Sequence, residues 1–140
     1  MVVPGADTAL ILICYESIFP GLAPRGPERP GWLINISIDA WYGDGAGPWQ
    51  NDNQSRYRAI EEGLPMARAA SGGISSITDS YGRKVVSVGR KGGAVEAALP
   101  PALAETIFAR YGFVLTPALI VLIALLRFAP PGAPARGFRS

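Results

Sequence analysis

Residues 9–16 read Ala9-Leu-Ile-Leu-Ile-Cys14-Tyr15-Glu16 and contain the single cysteine of this 140-residue chain. An apolar, partly β-branched run of this length is typical of a buried central strand. Because the pattern ends at Cys14, it predicts a strand-to-helix turn that exposes the thiol beside backbone N–H groups, as a nucleophile requires. Free cysteine is also among the residues most often buried as simple packing. These residues alone leave both interpretations open.

The composition excludes several classes of functional site. The sequence has no histidine, which excludes a Ser-His-Asp site, a Cys-His site and any histidine-based metal site within the chain. One cysteine excludes an internal disulfide framework. Hydrophobic residues make up 49% and charged residues 17%, with no lysine or arginine run and no basic stripe interleaved with aromatic residues. We therefore expect no nucleic-acid partner.

The pattern along the chain predicts an α/β domain over residues 1–110. Strands are predicted at 8–13, 32–38, 65–69, 73–78, 84–88 and 94–98, with hairpin turns at 80–83 and at Gly92-Gly93. One helix is predicted at 49–62, with Pro48 near its start and Gly63 at its end. Its expected sheet-facing residues are Tyr57, Ile60 and Leu64. Its expected solvated residues are Arg56, Arg58, Glu61 and Glu62, with Arg58 paired to Glu62.

An uncharged apolar segment follows, between Arg110 and Arg127. Extended to residue 129, it would form a helix about 28 Å long, close to the hydrocarbon thickness of a bilayer. We expect one transmembrane helix at 111–129, the alternative being a buried core helix. The acidic residues all precede Arg110, whereas Arg127, Arg136 and Arg139 have no acidic neighbour. The positive-inside rule therefore predicts a cytoplasmic tail at 130–140 and places domain 1–110 on the outer side of the membrane.

Three segments carry motifs that become specific when read together. They are Ile13-Cys14-Tyr15-Glu16; then Asp39-Ala-Trp41-Tyr42-Gly43 with Gly47-Pro48-Trp49-Gln50; then Arg58-Ala-Ile-Glu61 followed by Gly72-Gly73 and Asp79-Ser-Tyr-Gly82-Arg83. Their order and spacing resemble the apolipoprotein N-acyltransferases, the integral-membrane branch of the nitrilase superfamily, over nearly all of residues 8–129. The strand ending in Cys-x-Glu resembles nitrilases in general. The tryptophan-containing pieces and the apolar segment resemble the acyltransferase branch.

The resemblance implies half of a nitrilase-type α-β-β-α sandwich followed by one transmembrane helix. It implies a bacterial inner-membrane location, with the domain on the periplasmic side and the tail in the cytoplasm. It also implies that the Cys14 thiolate takes a fatty acyl group from a membrane phospholipid as a thioester. The acceptor would be the α-amine of the diacylglyceryl-cysteine at the amino terminus of an apolipoprotein. No cofactor and no metal are implied.

The side chains around the cysteine each have two interpretations. The N–H of Tyr15 is a candidate to hold the developing oxyanion. Glu16 is a candidate for orienting neighbouring groups or the amine, and equally for a structural, salt-bridged carboxylate. The rings of Tyr15, Trp41 and Trp49 either line the acyl or glycerol pocket or fill the core.

Some positions depart from the family pattern. The family's catalytic set includes a glutamate base and a lysine upstream of the cysteine, and residues 1–13 match neither. We therefore expect a carboxyl-terminal fragment that is inactive alone. The family usually has Asn at the position of Ile38, His at that of Asn51 and Asn at that of Gly72. Two further functions stay open: a nitrilase-type carbon–nitrogen hydrolase acting on a small amide, and a non-catalytic, membrane-anchored remnant.

Overall fold

A computed structural model describes residue 5 and residues 7–128 of the chain. The described residues form five strands, β1 Ala9–Ile13, β2 Trp32–Ile38, β3 Met66–Ser71, β4 Ser75–Thr78 and β5 Lys84–Val88. Three α-helices accompany them, α1 Gly47–Glu62, α2 Ile107–Tyr111 and α3 Leu115–Phe128. Short 3₁₀ helices lie at Cys14–Ile18, Gly26–Glu28, Ala40–Tyr42 and Gly112–Val114. The predicted tail at 130–140 lies outside the described residues.

The strands form one mixed sheet in the order β1-β2-β3-β4-β5. The first three are parallel, while β4 and β5 continue as antiparallel hairpins. Helix α1 makes the crossover from β2 to β3, which is how parallel neighbours are joined. The predicted turn at 80–83 is confirmed, because Asp79 N–H donates to Arg83 O at 2.9 Å and Gly82 has a φ of +79°. One mixed sheet with helices fits half of a nitrilase-type fold.

The two faces of the sheet have different environments. On the face covered by α1, Leu12, Leu33 and Met66 form a core cluster with Ala59 and Leu64. On the opposite face, Ile13, Ile36 and Ile38 alternate with the buried side chains and are more than half exposed, whereas Ile11 and Ile34 are partly buried. This alternation is the period of a strand. The far face of the sheet is therefore apolar, and within the described residues it is exposed at the end of the strands beside Cys14.

Helix α1 presents the opposite face to the one predicted. Leu64 is buried as expected, but it lies beyond the helix end, and Tyr57 and Ile60 are largely exposed. The predictions of solvated Arg58 and Glu62 were wrong, since both are buried. Arg58 pairs with Glu61 at 2.9 Å rather than with Glu62. The physical reason is that groups outside the helix supply partners for its polar face, which the periodicity of apolar residues does not detect. Arg58 Nη1 donates to Ile18 O at 2.8 Å, and Arg68 Nη1 of β3 donates to Ser55 Oγ at 2.9 Å.

The predicted strand at 94–98 was also wrong. Among the described residues, this segment pairs with no strand. Gly92 and Gly93 do form a turn of positive φ, but the chain then runs to the end of α1 instead of returning along β5. There Leu103 N–H donates to Gly63 O at 2.9 Å, and Ser80 Oγ donates to Pro101 O at 2.9 Å.

The predicted single helix at 111–129 is broken in the structure. Gly112, with a φ of +55°, ends α2, and its N–H donates to Phe108 O. Within residues 7–128, no one helix has both the length and the apolar character needed to cross a membrane. Ile107–Val114 and Thr116–Phe128 meet those requirements only jointly, and they are bent by 62° where they meet. Large apolar side chains of α3, from Leu119 to Phe128, are more than half exposed.

Candidate active site

The chain turns sharply at Cys14, where β1 ends and a 3₁₀ helix begins. Cys14 has a φ of +51° and is the one non-glycine residue with positive φ among residues 7–128. This left-handed backbone costs an L-residue about 1–2 kcal/mol and is found preferentially at functional sites. The side chain is partly exposed. The sulfur is therefore held at the carboxyl-terminal edge of the parallel strands and is not sealed inside apolar packing.

Hydrogen bonds from the neighbouring strand and from within the turn hold its backbone. Asn35 Nδ2 on β2 donates to Leu12 O at 2.9 Å and to Cys14 O at 3.3 Å. Ser17 Oγ donates to Cys14 O at 3.3 Å. These hydrogen bonds fix the Leu12 and Cys14 carbonyl groups, so the surrounding residues hold Cys14 in its strained backbone conformation.

Glu16 has an observed structural contact within the turn. Its Oε2 accepts a hydrogen bond from Ile13 N–H at 2.7 Å, three residues back, as the acidic member of a capping box does. The carboxylate is exposed. The salt-bridged arrangement that sequence reasoning offered as one alternative is absent from the ion pairs of the described residues, and the carboxylate binds backbone instead.

The sulfur contacts a buried polar network through Ser37. Ser37 Oγ lies 4.0 Å from Cys14 Sγ and donates to Asp39 Oδ1 at 2.6 Å. The fully buried Asp39 carboxylate also accepts from Asn51 Nδ2 at 2.8 Å and from Arg68 Nη2 at 2.6 Å. Three donors on one carboxylate keep its charge satisfied in a site without water exposure.

Arg68 is the centre of this network. Its side chain is 1% exposed and pairs with the 0% exposed Asp39 carboxylate. The remaining guanidinium donors bind Ile74 O at 3.2 Å, Ser55 Oγ at 2.9 Å and Asn35 Oδ1. A planar group with several donors in fixed directions can join a loop, a helix and two strands at once. The network therefore sets the positions of Asn35 and Ser37, the two residues beside the cysteine turn.

Sequence reasoning gave no role to these network residues. A signal was present in β2, where Leu33, Asn35 and Ser37 alternate with isoleucines and so share the helix-facing side. A second signal was the polar stripe of α1, whose buried members are Asn51, Asp52, Ser55, Arg58 and Glu62. The strand register then places Asn35 beside Arg68. The polar side of β2 and the polar stripe of α1 must be considered together to predict this network. Taken alone, each pattern predicts a solvent-exposed surface.

A cavity of about 260 Å³ lies next to the turn and is lined by Tyr15, Tyr42, Gln50, Asn51 and Gln54, with Ile18 and Gly47. Burial raises the pKa of the Tyr42 phenol, and the acidic groups of Tyr15, Asp39 and Cys14 raise it further. The residue after the cysteine, Tyr15, therefore lies on the cavity wall together with Ile18 of the same turn.

Of the predicted pocket aromatics, only Tyr15 lines this cavity. Trp41 and Trp49 lie outside it, with 67% and 58% of their surface exposed. The Trp41 ring packs against Tyr42, with the ring centroids 4.9 Å apart. The two tryptophans therefore fill no core, and neither touches this cavity.

The three departures from the family pattern occupy different places. Ile38 lies on the uncovered face of the sheet, away from the network. Gly72 has a φ of +70°, and a Cβ there would lie 2.7 Å from Ala40 Cα, so backbone packs where a side chain would stand. Asn51 alone belongs to the network, where its amide binds Asp39. Of the three departures, only the one at Asn51 therefore falls within the network beside the cysteine.

Comparison with known proteins identifies relatives over most of the chain. A family model described as carbon-nitrogen hydrolase matches residues 5–107. An apolipoprotein N-acyltransferase of Bradyrhizobium diazoefficiens is 49% identical over 124 residues, which cover 88% of this chain and 23% of the relative. Proteins of the same name from Rhodopseudomonas palustris and Rickettsia bellii are 44% and 39% identical, covering 93% and 84% of this chain and 25% and 24% of the relatives. The chain spans about a quarter of the length of these curated relatives.

Proposed function

Since the chain belongs to the carbon-nitrogen hydrolase family, we propose that it carries the nucleophile of a lipoprotein N-acyltransferase. The observation that carries the proposal is Cys14 itself, a partly exposed thiol on a left-handed turn at the carboxyl-terminal edge of the parallel strands. The relatives are named apolipoprotein N-acyltransferases, and this name supplies the reaction class, acyl transfer to a nitrogen of an apolipoprotein.

The reaction proceeds in two steps that pass through the sulfur. In the first, the Cys14 thiolate attacks the carbonyl carbon of a phospholipid ester; a C–S bond forms, the ester C–O bond breaks, and the leaving alcohol takes the thiol proton. In the second, the α-amine of a diacylglyceryl-cysteine attacks the thioester; a C–N bond forms, the C–S bond breaks, and the amine proton returns to sulfur. Splitting one difficult transfer into two easier ones is the advantage of covalent catalysis.

The residues around Cys14 have supporting roles in this proposal. The backbone N–H of Tyr15 follows the nucleophile in the turn, where an oxyanion donor is needed. Ser37, held by Asp39, fixes the surroundings of the sulfur. The Tyr15 ring makes an edge-on contact with Phe19, with centroids 6.1 Å apart, and both rings are about half exposed. Exposed rings of this kind suit a site that receives an acyl chain.

The same proposal places the carboxyl-terminal apolar segment in a bacterial inner membrane. Its support is the exposed apolar surface of α3 and the absence of acidic residues beyond Glu105. Phe113 makes an edge-on contact with Phe108, with centroids 5.7 Å apart, and Gly21 of the loop after the cysteine turn lies close to Phe113. The loop that follows the cysteine turn thus lies beside the start of the apolar segment. We infer that the domain lies on the periplasmic side and that the tail is cytoplasmic, as positive-inside bias predicts.

The test is the mass of Cys14 in a chimera. The matched segment of the Bradyrhizobium diazoefficiens relative is replaced by this chain, and the chimera is incubated in detergent with a phospholipid carrying an isotope-labelled acyl chain. We expect a labelled thioester on the Cys14 peptide that hydroxylamine removes, and none in the Cys14→Ser chimera.

The unmodified relative is the positive control. A neutral maleimide first checks that Cys14 is accessible in the folded chimera. If Cys14 reacts with the maleimide and the relative forms its thioester, but the chimera forms none, the proposed nucleophile is wrong. A labelled amide product on a short peptide amine, without a thioester intermediate, would contradict the two-step route instead.

A further inference from the structure

We propose that Asn51 is the hydrogen-bond acceptor for the amine that attacks the Cys14 thioester, and that the cavity it lines is the amine subsite. This inference rests on the proposed function and adds the binding site of the second substrate. Two independent observations carry it: an unsatisfied buried oxygen on Asn51, and the position of the cavity beside the cysteine turn.

The orientation of the Asn51 amide is fixed by its partner. Its Nδ2 donates to Asp39 Oδ1 at 2.8 Å, and a carboxylate held by Arg68 can only accept. The other end of the amide must therefore be the acceptor oxygen Oδ1. Asn51 is 4% exposed, and its Oδ1 has no hydrogen-bond partner within the described part of the chain. A buried carbonyl oxygen without a donor costs about 1–3 kcal/mol, which a bound donor would recover.

The cavity lies beside the turn that carries the reacting sulfur. Tyr15, the residue after the nucleophile, and Asn51 line the same cavity of about 260 Å³. Three contacts of 4.0, 2.6 and 2.8 Å join Cys14 Sγ to Ser37, Ser37 to Asp39 and Asp39 to the Asn51 amide. A primary amine bound here can give one N–H to Asn51 and keep its lone pair for the thioester carbon. The C–N bond then forms as the C–S bond breaks, and the amine proton goes to sulfur.

The chemistry at this position favours an amine or another small donor over an anion. The Asn51 amide donates to the Asp39 carboxylate, and the other side chains that line the cavity, Gln50 and Gln54 among them, are uncharged. The Arg68 guanidinium is bound to Asp39 and to other network groups. An acceptor oxygen beside a carboxylate stabilises an N–H donor and repels a negatively charged ligand.

Disulfide exchange at Cys14 tests the subsite without any acyl transfer. Because Cys14 is the only cysteine, the full chain in detergent is equilibrated with cystamine or with dipropyl disulfide, and mass spectrometry measures each adduct. The adduct from cystamine ends in an amine, and the adduct from dipropyl disulfide ends in a methyl group at the same position. We expect the aminoethyl adduct to be favoured about tenfold over the propyl adduct, the size of one hydrogen bond from a charged donor.

The variants separate the acceptor role from a structural one. Asn51→Leu should abolish the amine preference, measured as the ratio of the aminoethyl adduct to the propyl adduct. Asn51→His should retain the preference, because one ring nitrogen can donate to Asp39 while the other accepts. Asn53→Leu is the matched control, an exposed asparagine on the same helix that accepts from Arg56, and it should change nothing.

The outcomes divide the two proposals. Exchange with dipropyl disulfide but no amine preference, or a preference that persists in Asn51→Leu, overturns the amine subsite and leaves the nucleophile in place. If neither disulfide reacts with Cys14 in the folded chain, the proposed nucleophile is wrong, and the subsite is overturned with it.

Discussion

The buried pair between Asp39 and Arg68 should be the most sensitive point of this domain. Replacing Arg68 by methionine leaves a carboxylate that is fully buried and has lost its ionic partner. Removing one member of a buried pair typically costs about 3–5 kcal/mol, because the other charge stays out of water uncompensated. We expect Arg68→Met to lower the free energy of unfolding by that amount.

The matched control has the same contact length in a different environment. Arg83 pairs with Asp79 at 2.6 Å, as Arg68 does with Asp39, but the Arg83 side chain is 74% exposed. An exposed pair of this kind contributes about 0–1 kcal/mol. Arg83→Met should therefore be nearly neutral although it breaks an ion pair of the same length.

Urea unfolding of the chain in detergent, followed by tryptophan fluorescence, measures both variants. Adding Asp39→Asn to Arg68→Met should recover at least about 1 kcal/mol, since the neutral amide removes the unpaired charge. Arg68→Lys keeps a positive charge but has fewer fixed donors. Its free energy of unfolding should therefore lie between that of the unchanged chain and that of Arg68→Met. A loss below about 1 kcal/mol in Arg68→Met, or no recovery in the double variant, would refute the reasoning that burial makes this pair indispensable.

Two further predictions concern the surroundings of this network. A Cβ at Gly73 would lie 2.2 Å from Asp39 Oδ2, whereas a Cβ at Gly45 would meet nothing within 4 Å. Gly73→Ala should therefore lower the free energy of unfolding in urea by about 2 kcal/mol, and Gly45→Ala should lower it by less than about 0.5 kcal/mol. Equal losses in the two variants would contradict this packing at Gly73. Burial raises the pKa of Glu62 above its ordinary 4.5, so the folded chain holds this proton to higher pH than the unfolded chain does, and stability falls as pH rises through that interval. Glu62→Gln should make the unfolding free energy less dependent on pH in the interval that begins near the ordinary glutamate pKa of 4.5 and lies above it, and an unchanged slope would show that Glu62 is not the group responsible.

The sequence predicted the elements whose signal is local. The strands at Ala9–Ile13, Trp32–Ile38 and Lys84–Val88 follow from apolar and β-branched runs between turn residues, and the hairpin at Gly82 follows from its conformational freedom. The position of Cys14 at the end of β1 needed nothing beyond the run that precedes it. These features depend on neighbours in the chain, so the chain alone determines them.

Tertiary structure decided which polar residues are buried. Asn35, Ser37 and Arg68 read as ordinary polar positions until the register of β2 and β3 places them on one face. The polar stripe of α1 then packs there, which reverses the face predicted from Tyr57 and Ile60. A polar side chain is buried only when another element supplies its hydrogen bonds. That partner can be far away in sequence, as Arg68 is from Asp39, so no local pattern could have located the network that holds the cysteine.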